Sequence, residues 1–253
     1  NAFALVITDE KDLAGLPQSS INAAREAAKA AGKEGYLFNL QKPSWIPFLQ
    51  YADNRELRKQ MYLAYINRGD NNNDNDNKEV IARILKLRQQ KAQLFGYETF
   101  AEFQLEDKMA KTPEAAYNLL MTIWNAALPK AQAEAAELQK MMDAEGKGEK
   151  LEAWDWWYYT EKLREQKYAL SESELRPYFS LDNVRKGAFM VSEKLFGMKF
   201  QPVEGLDVYH PEVETFEVLD ADGSHLALFY TDYFPRATKR AGAWMNNIVD
   251  ASN

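Results

Sequence analysis

The stretch from Trp154 to Gly197 constrains this chain more than any other. It opens Trp154-Asp155-Trp156-Trp157-Tyr158-Tyr159, passes through Leu175-Arg176-Pro177-Tyr178-Phe179 and closes on an amphipathic run stopped by Gly197. Five aromatic side chains in six positions cannot all face water on one helix. They are either buried on more than one side or line a groove. The preference of aromatic rings for interiors favours a core helix where helical layers meet. The wall of a binding channel is the other reading, and both stay open at this point. A core of either kind needs a sizeable domain. The 253 residues, 46% hydrophobic and 27% charged, suffice for one large domain or two small ones.

Helical periods dominate the rest of the chain. Asp9 to Leu16 reads as a short helical turn closed by Gly15-Leu16-Pro17. Ser19 or Ser20 is a candidate cap for an alanine-rich helix ending at Gly32. Tyr36 to Leu40 is a candidate strand. From Trp45 to Tyr65 the pattern is broken at Pro47 and then turns helical, with Phe48, Tyr51, Leu57, Met61 and Tyr65 roughly on one side. A helix from Lys78 ends at Gly96. Thr112-Pro113-Glu114 is a strong start for a helix running to Glu145, in which Pro129 should introduce a bend. Gly146 to Lys150 reads as a turn. Leu181, Val184, Ala188, Val191 and Leu195 mark a last helix.

After Gly197 the period changes to two. Phe216 and Val218 alternate with polar neighbours, Asp220-Ala221-Asp222-Gly223 is a turn, and Leu226, Leu228 and Tyr230 alternate again. This predicts a hairpin, with Ala243 to Val249 as a third strand. The expected fold class is therefore mainly α with a small antiparallel sheet near the C-terminal end. No repeat and no convincing linker interrupts it.

Composition excludes more chemistry than it suggests. A net charge of −7 argues against nucleic acid as a partner, since phosphate binding needs clustered Lys and Arg. No apolar run is long enough for a membrane span. The absence of cysteine removes disulfides, thiol catalysis and thiolate metal sites. His210 and His225 are fifteen apart, not the four apart that a helical zinc pair needs. The Asp/Asn run from Asp70 to Asn77 invites a calcium reading. It fails where the loop wants Gly and has Asn75, and where it needs Glu and has Ile81. A solvated loop leading into the next helix is the better reading. There is no phosphate-binding glycine loop and no nucleophile elbow.

The order of motifs carries a resemblance. Leu13 to Pro17, Leu87-Arg88 with Ala92 and Gly96-Tyr97, Lys108 to Pro113, Trp154 to Tyr159, Arg176 to Phe179, Leu181 to Val184, Asp220 to Gly223, and Lys239-Arg240-Ala241-Gly242-Ala243-Trp244-Met245 follow one another. Together they resemble the zinc oligopeptidases of the thimet oligopeptidase and bacterial peptidyl-dipeptidase type. Ala237 departs from the Glu often found after Arg236 in that family. A larger departure is the lack of the H-E-x-x-H helix that holds the family's zinc and general base.

The resemblance implies an internal piece of a longer peptidase that hydrolyses short oligopeptides and releases C-terminal dipeptides. It implies the helical lobe of a two-lobed, channel-type, neurolysin-like zincin. Residues 1–197 would form the lobe segment, and residues 198–253 a sheet leading toward the zinc helix. No catalytic or metal-binding residue is expected in this chain. Zinc is expected in the full-length protein only. Gly242, Ala243, Trp244 and Met245 are the implied substrate contacts, presenting a strand edge to a peptide backbone. Partners would be short peptides, with no nucleic acid, no membrane and a monomeric state, in a bacterial cytoplasm or periplasm. The rival reading is a non-catalytic helical module that binds peptides or proteins.

Overall fold

The structure, a computed structural model, describes residues 3–146, 148–169, 172–236, 238–239 and 242–249, and the side chains of residues 172 and 173 lie outside the description too. The chain divides into two compact units, Asn1–Ala169 and Leu170–Asn253.

The first unit begins with strand β1 (Leu5–Ile7), paired antiparallel to β2 (Tyr36–Phe38) with Val6 opposite Leu37. Between them a 3-10 turn, Glu10–Leu13, is capped by the Asp9 carboxylate, which accepts from the Lys11 amide at 3.0 Å. Helix α1 (Gln18–Ala30) starts two residues earlier than a cap at Ser19 would allow. Pro17 occupies the capping position, and Ser19 and Ser20 lie inside the helix. Helix α2 (Lys42–Tyr51) runs through Pro47, so the break falls later, at residues 52–54. There the Asn54 side chain accepts from the Leu57 amide and starts α3 (Arg55–Ile66). Phe38, Phe48, Leu49 and Met61 are fully buried in one cluster, and Phe38 meets Phe48 edge-on at 4.8 Å. Tyr51, Leu57 and Tyr65 pack around it, as their spacing predicts.

Helix α4 (Lys78–Leu94) follows the Asp/Asn loop. The Lys78 ammonium bonds both Asp70 and Asp76, so the chain's own cation takes the carboxylates that a calcium ion would need. Next come α5 (Phe100–Leu105), with a reciprocal Thr99/Glu102 cap, and α6 (Pro113–Ala144). Helix α6 starts where the sequence predicts, with the Thr112 hydroxyl accepting from the Ala115 amide at 3.2 Å. It continues through Pro129.

Helix α7 (Trp156–Tyr168) carries the aromatic run and answers the question it posed. Tyr158 and Tyr159 are buried with Leu138 and Met142 of α6. Trp157 is 37% exposed and stacks on Trp45, ring centres 5.2 Å apart. The core reading therefore holds for only part of the run. One helix turns successive side chains about 100° apart, so its core face cannot take every ring. Trp157→Ala is expected to cost about 2 kcal/mol, and Tyr159→Ala about 4 kcal/mol. Urea unfolding of the two variants checks this. Equal losses would show that stacking on Trp45 is as costly to lose as burial.

The residue that organises the run is not aromatic. Asp155 is fully buried. Its Oδ1 accepts from Arg55 Nε at 3.0 Å and Arg58 Nη2 at 2.9 Å. Its Oδ2 accepts from Arg55 Nη2 at 2.8 Å and the Glu152 amide at 3.0 Å. The Arg58 guanidinium also lies 4.0 Å from the centre of the Tyr158 ring. With each carboxylate oxygen already doubly engaged, this node is structural.

In the second unit, the short helix α8 (Glu172–Leu175) and a 3-10 turn, Arg176–Phe179, precede α9 (Leu181–Phe196). Ser180 caps α9 and Gly197, at φ 76°, ends it. Strands β3 (Lys199–Pro202), β4 (Glu214–Leu219) and β5 (His225–Thr231) form an antiparallel sheet in that order. The hairpin is as predicted, with Phe216 opposite Phe229 and Val218 opposite Ala227. The face turned to α9 carries Phe200, Phe216 and Phe229, with Phe189 of α9 stacked 4.1 Å from Phe200. Leu228 and Tyr230, on the other face, are exposed, as is Leu226 at the register shift opposite Val218 and Leu219. The third strand is β3, not residues 243–249. Residues 242–249 enter no ladder among the described residues. A strand exists only where a partner takes its backbone groups, and among the described residues none does so for residues 242–249.

Candidate functional site

The residues singled out as substrate contacts, Gly242 to Met245, lie beyond the end of β5. Gly242 has φ 144°, a conformation open to glycine. A Cβ placed there would lie 3.3 Å from Cζ3 of Trp244, so the indole folds back beside the bare backbone. Trp244 is 68% exposed and Met245 86%. The segment forms neither helix nor strand, pairs with no strand among the described residues and is solvated. Arg240 and Ala241, part of the same motif, lie outside the described residues, as does Ala237.

Between β5 and this segment sits a charged knot that sequence reading missed. The Asp232 carboxylate is its centre. Oδ2 accepts from Arg236 Nη2 at 2.6 Å and from the Tyr209 hydroxyl at 3.0 Å. Oδ1 accepts from Arg236 Nη1 and Lys239 Nζ, both at 2.8 Å. Lys239 Nζ donates further to the Asp232 carbonyl at 2.9 Å and to the Phe234 carbonyl at 2.6 Å. The Lys239 amide closes the turn on the Arg236 carbonyl at 3.0 Å. Hydrogen bonds from Arg236 and Lys239 hold the Asp232 carboxyl well below the usual carboxylate range. The same carboxylate pushes the Tyr209 hydroxyl up. The only signal in the sequence was the spacing of Arg236 and Lys239 four and seven residues after an Asp. That signal says nothing of Tyr209, which arrives from a loop 23 residues away.

Neither histidine joins a centre of this kind. His225 Nδ1 lies 2.8 Å from Glu217, and His210 faces Glu212 at 3.7 Å. Among the described residues, no three His, Cys, Asp or Glu side chains converge as a metal site would require. These residues do not fit a zinc centre. No helix among them is long and apolar enough to cross a membrane.

Comparison with known proteins supplies the context for these features. Residues 48–253 match the description Peptidase family M3. The chain is 39% identical to oligopeptidase A of Salmonella typhimurium over 248 residues, covering 96% of this chain and 36% of that protein. It is 38% identical to dipeptidyl carboxypeptidase of Escherichia coli over 250 residues, covering 98% and 37%. It spans little more than a third of the length of these relatives. The mainly helical architecture with small antiparallel sheets fits the zincin fold. The match takes in the aromatic helix, the hairpin and the Asp232 turn, and on that basis the resemblance read from the motifs is secure: this chain belongs to peptidase family M3.

Proposed function

We propose that the chain is a substrate-channel segment of a zinc metallopeptidase that hydrolyses short oligopeptides and releases C-terminal dipeptides. Membership in family M3, which is zinc-dependent in general, carries the reading. In this reading the zinc and the catalytic groups are held outside the 253 residues, and the chain itself is inactive. Residues 1–197 contribute to a helical lobe, and residues 198–253 lead toward the metal. Gly242 to Met245 pair with the substrate main chain. Backbone pairing supplies affinity without sequence preference, which suits an enzyme that accepts many peptides.

The distribution of apolar surface supports a place within a larger protein. Val80, Ile81, Ile84 and Leu85 of α4 are exposed, and so are Leu120, Ile123 and Trp124 of α6. The predicted apolar face of α9 is also open, with Val184 and Val191 about half exposed and Leu195 more so. Apolar faces of this extent mark surfaces that meet protein.

The test has two arms. The intact peptidase is expected to cleave short peptides with a free C-terminus, to lose that activity on chelation, and to be blocked by C-terminal amidation of the peptide. The 253-residue chain alone is expected to hold no stoichiometric zinc and to leave the same peptides uncut. Zinc retained at one per chain after a chelator wash, and lost on replacing His210 and His225, would overturn the assignment of the metal elsewhere. An intact protein that binds peptides but cuts none would favour the non-catalytic module.

A further inference from the structure

We infer that Asp232 is a positioning residue: it staples the turn after β5 and thereby fixes where the Gly242–Met245 backbone stands. The inference rests on the proposed reading of that segment as the substrate edge. Its basis is the convergence of four hydrogen bonds on one carboxylate. Tyr209, Arg236 twice and Lys239 donate to Asp232, and Lys239 also closes two carbonyls of the same turn, at Asp232 and Phe234. The bonds from Arg236 and Lys239 are charge-assisted, about twice as strong as neutral ones. The side chains of Asp232, Arg236 and Lys239 are 13%, 19% and 28% exposed, so the knot is shielded though it lies near the surface.

A network this dense goes beyond what a solvent-exposed turn requires. The turn also contains Pro235, which cannot donate a backbone hydrogen bond, so side chains must take over the role of a ladder. The knot is anchored at its other end by β5, since Thr231 is buried and its hydroxyl reaches the Glu214 carbonyl at 3.5 Å. Lys239 is three residues before Gly242, at most about 11 Å of extended chain. Fixing the Lys239 backbone therefore limits how far Gly242 can stand from the knot. The segment from Gly242 onward makes no ladder of its own among the described residues. The tether to Lys239 is therefore one fixed constraint on where it stands. A peptide that pairs with an edge needs that edge at a fixed height and register. A displacement of the order of an ångström removes the pairing. Asp232 touches no substrate in this arrangement. It acts through Lys239 and Arg236.

Two measurements separate this inference from the reading beneath it. The first uses trypsin, which must draw a free Arg or Lys side chain into its pocket. Arg236 and Lys239 are held by Asp232, so cleavage after them is slow in the parent chain. In Asp232→Ala it is expected to be about tenfold faster or more, because cleavage tracks the population of the opened turn. Amide exchange at Phe216 and Val218 of β4 is followed in the same samples and should be unchanged. If β4 also loosens, Lys239→Met removes the two carbonyl bonds and one carboxylate bond while keeping Asp232, and should open the same turn. Unchanged cleavage after Arg236 in both variants would overturn the staple.

The second measurement is steady-state hydrolysis of a short peptide by the intact peptidase carrying the same replacements. KM is expected to rise about tenfold while kcat changes by about twofold or less, because an edge contact made equally in the ground and transition states is what has been loosened. Asp232→Glu, which keeps the charge, should recover part of the KM. Faster cleavage by trypsin with an unchanged KM would leave the staple standing and refute Gly242–Met245 as the substrate edge. A fall in kcat at constant KM would overturn positioning of the edge as the role of Asp232.

Discussion

Asp155→Ala is expected to lower the stability of the first unit by about 3–5 kcal/mol, the usual result of removing one partner from a buried charge pair. Arg55 is 18% exposed and can turn toward water, but Arg58 is 1% exposed and cannot. Its remaining bonds, to the carbonyls of Ala52 at 2.7 Å, Asp53 at 3.2 Å and Trp154 at 3.3 Å, satisfy donors without neutralising the charge. The loss should therefore shrink substantially when Arg58 is also made apolar, as in Asp155→Leu with Arg58→Met. Five tryptophans, Trp45, Trp124, Trp154, Trp156 and Trp157, lie in the first unit, so their fluorescence during urea unfolding reports on it. A double variant as unstable as the single one would mean that packing, not charge, holds the site.

The same pair gives a pH signature. Burial pushes the Asp155 carboxyl up, but hydrogen bonds from Arg55 and Arg58 outweigh it, and the net direction is down. A depressed folded value means that the stabilisation is complete above the unfolded carboxylate range, near about 3.9, and fades as pH falls through the folded value. The stability gap between the parent and Asp155→Ala should therefore be widest near neutrality and narrow as pH falls below the unfolded carboxylate range. A gap independent of pH would exclude ionised Asp155 as its source.

Gly15→Ala is the second large effect, expected to cost about 2–5 kcal/mol through left-handed strain and overpacking together. Gly15 has φ 83°, and a Cβ there would sit 2.1 Å from the Tyr51 carbonyl oxygen and 2.8 Å from Oδ1 of Asp53. The close approach is functional for the fold. The Asp53 amide donates to the Ala14 carbonyl at 2.9 Å, and the Tyr158 hydroxyl donates to Oδ1 of Asp53 at 2.7 Å. Three elements, the first turn, the joint between α2 and α3, and α7, thus meet at one glycine. Gly32→Ala is the control. Its φ is 64° but nothing lies within 4 Å, so strain alone remains, about 1 kcal/mol. Thermal melts of the two variants compare the terms, and equal shifts would refute the contact.

The elements legible in the sequence were those whose physics is local. Thr112-Pro113-Glu114 starts α6 because a hydroxyl, a fixed φ and a first-turn acid act within four residues. Gly197 ends α9 because only a left-handed residue closes that helix without strain. Alternation acts over equally short distances, and so Phe216, Val218 and the turn at Asp220 to Gly223 pointed to the hairpin. The family, too, was legible, because its motifs are read in order along the chain.

What lay beyond the sequence depends on partners far apart in it. Asp155 stood unremarked among the rings because Arg55 and Arg58, 100 and 97 residues away, decide its role. Asp232 gave no sign of its four bonds because one donor comes from the loop before β4. Alternation proposed residues 243–249 as a third strand, yet the sheet took Lys199–Pro202 instead. Side-chain pattern is a property of one segment, whereas a strand is a property of a pair of segments. The sequence by itself therefore determined which segments turn, cap and stop, and to which family they belong. Only the tertiary structure decided which ring is buried, which charge is neutralised and which backbone is left unpaired, because each of these is settled by a neighbour that the linear order does not place.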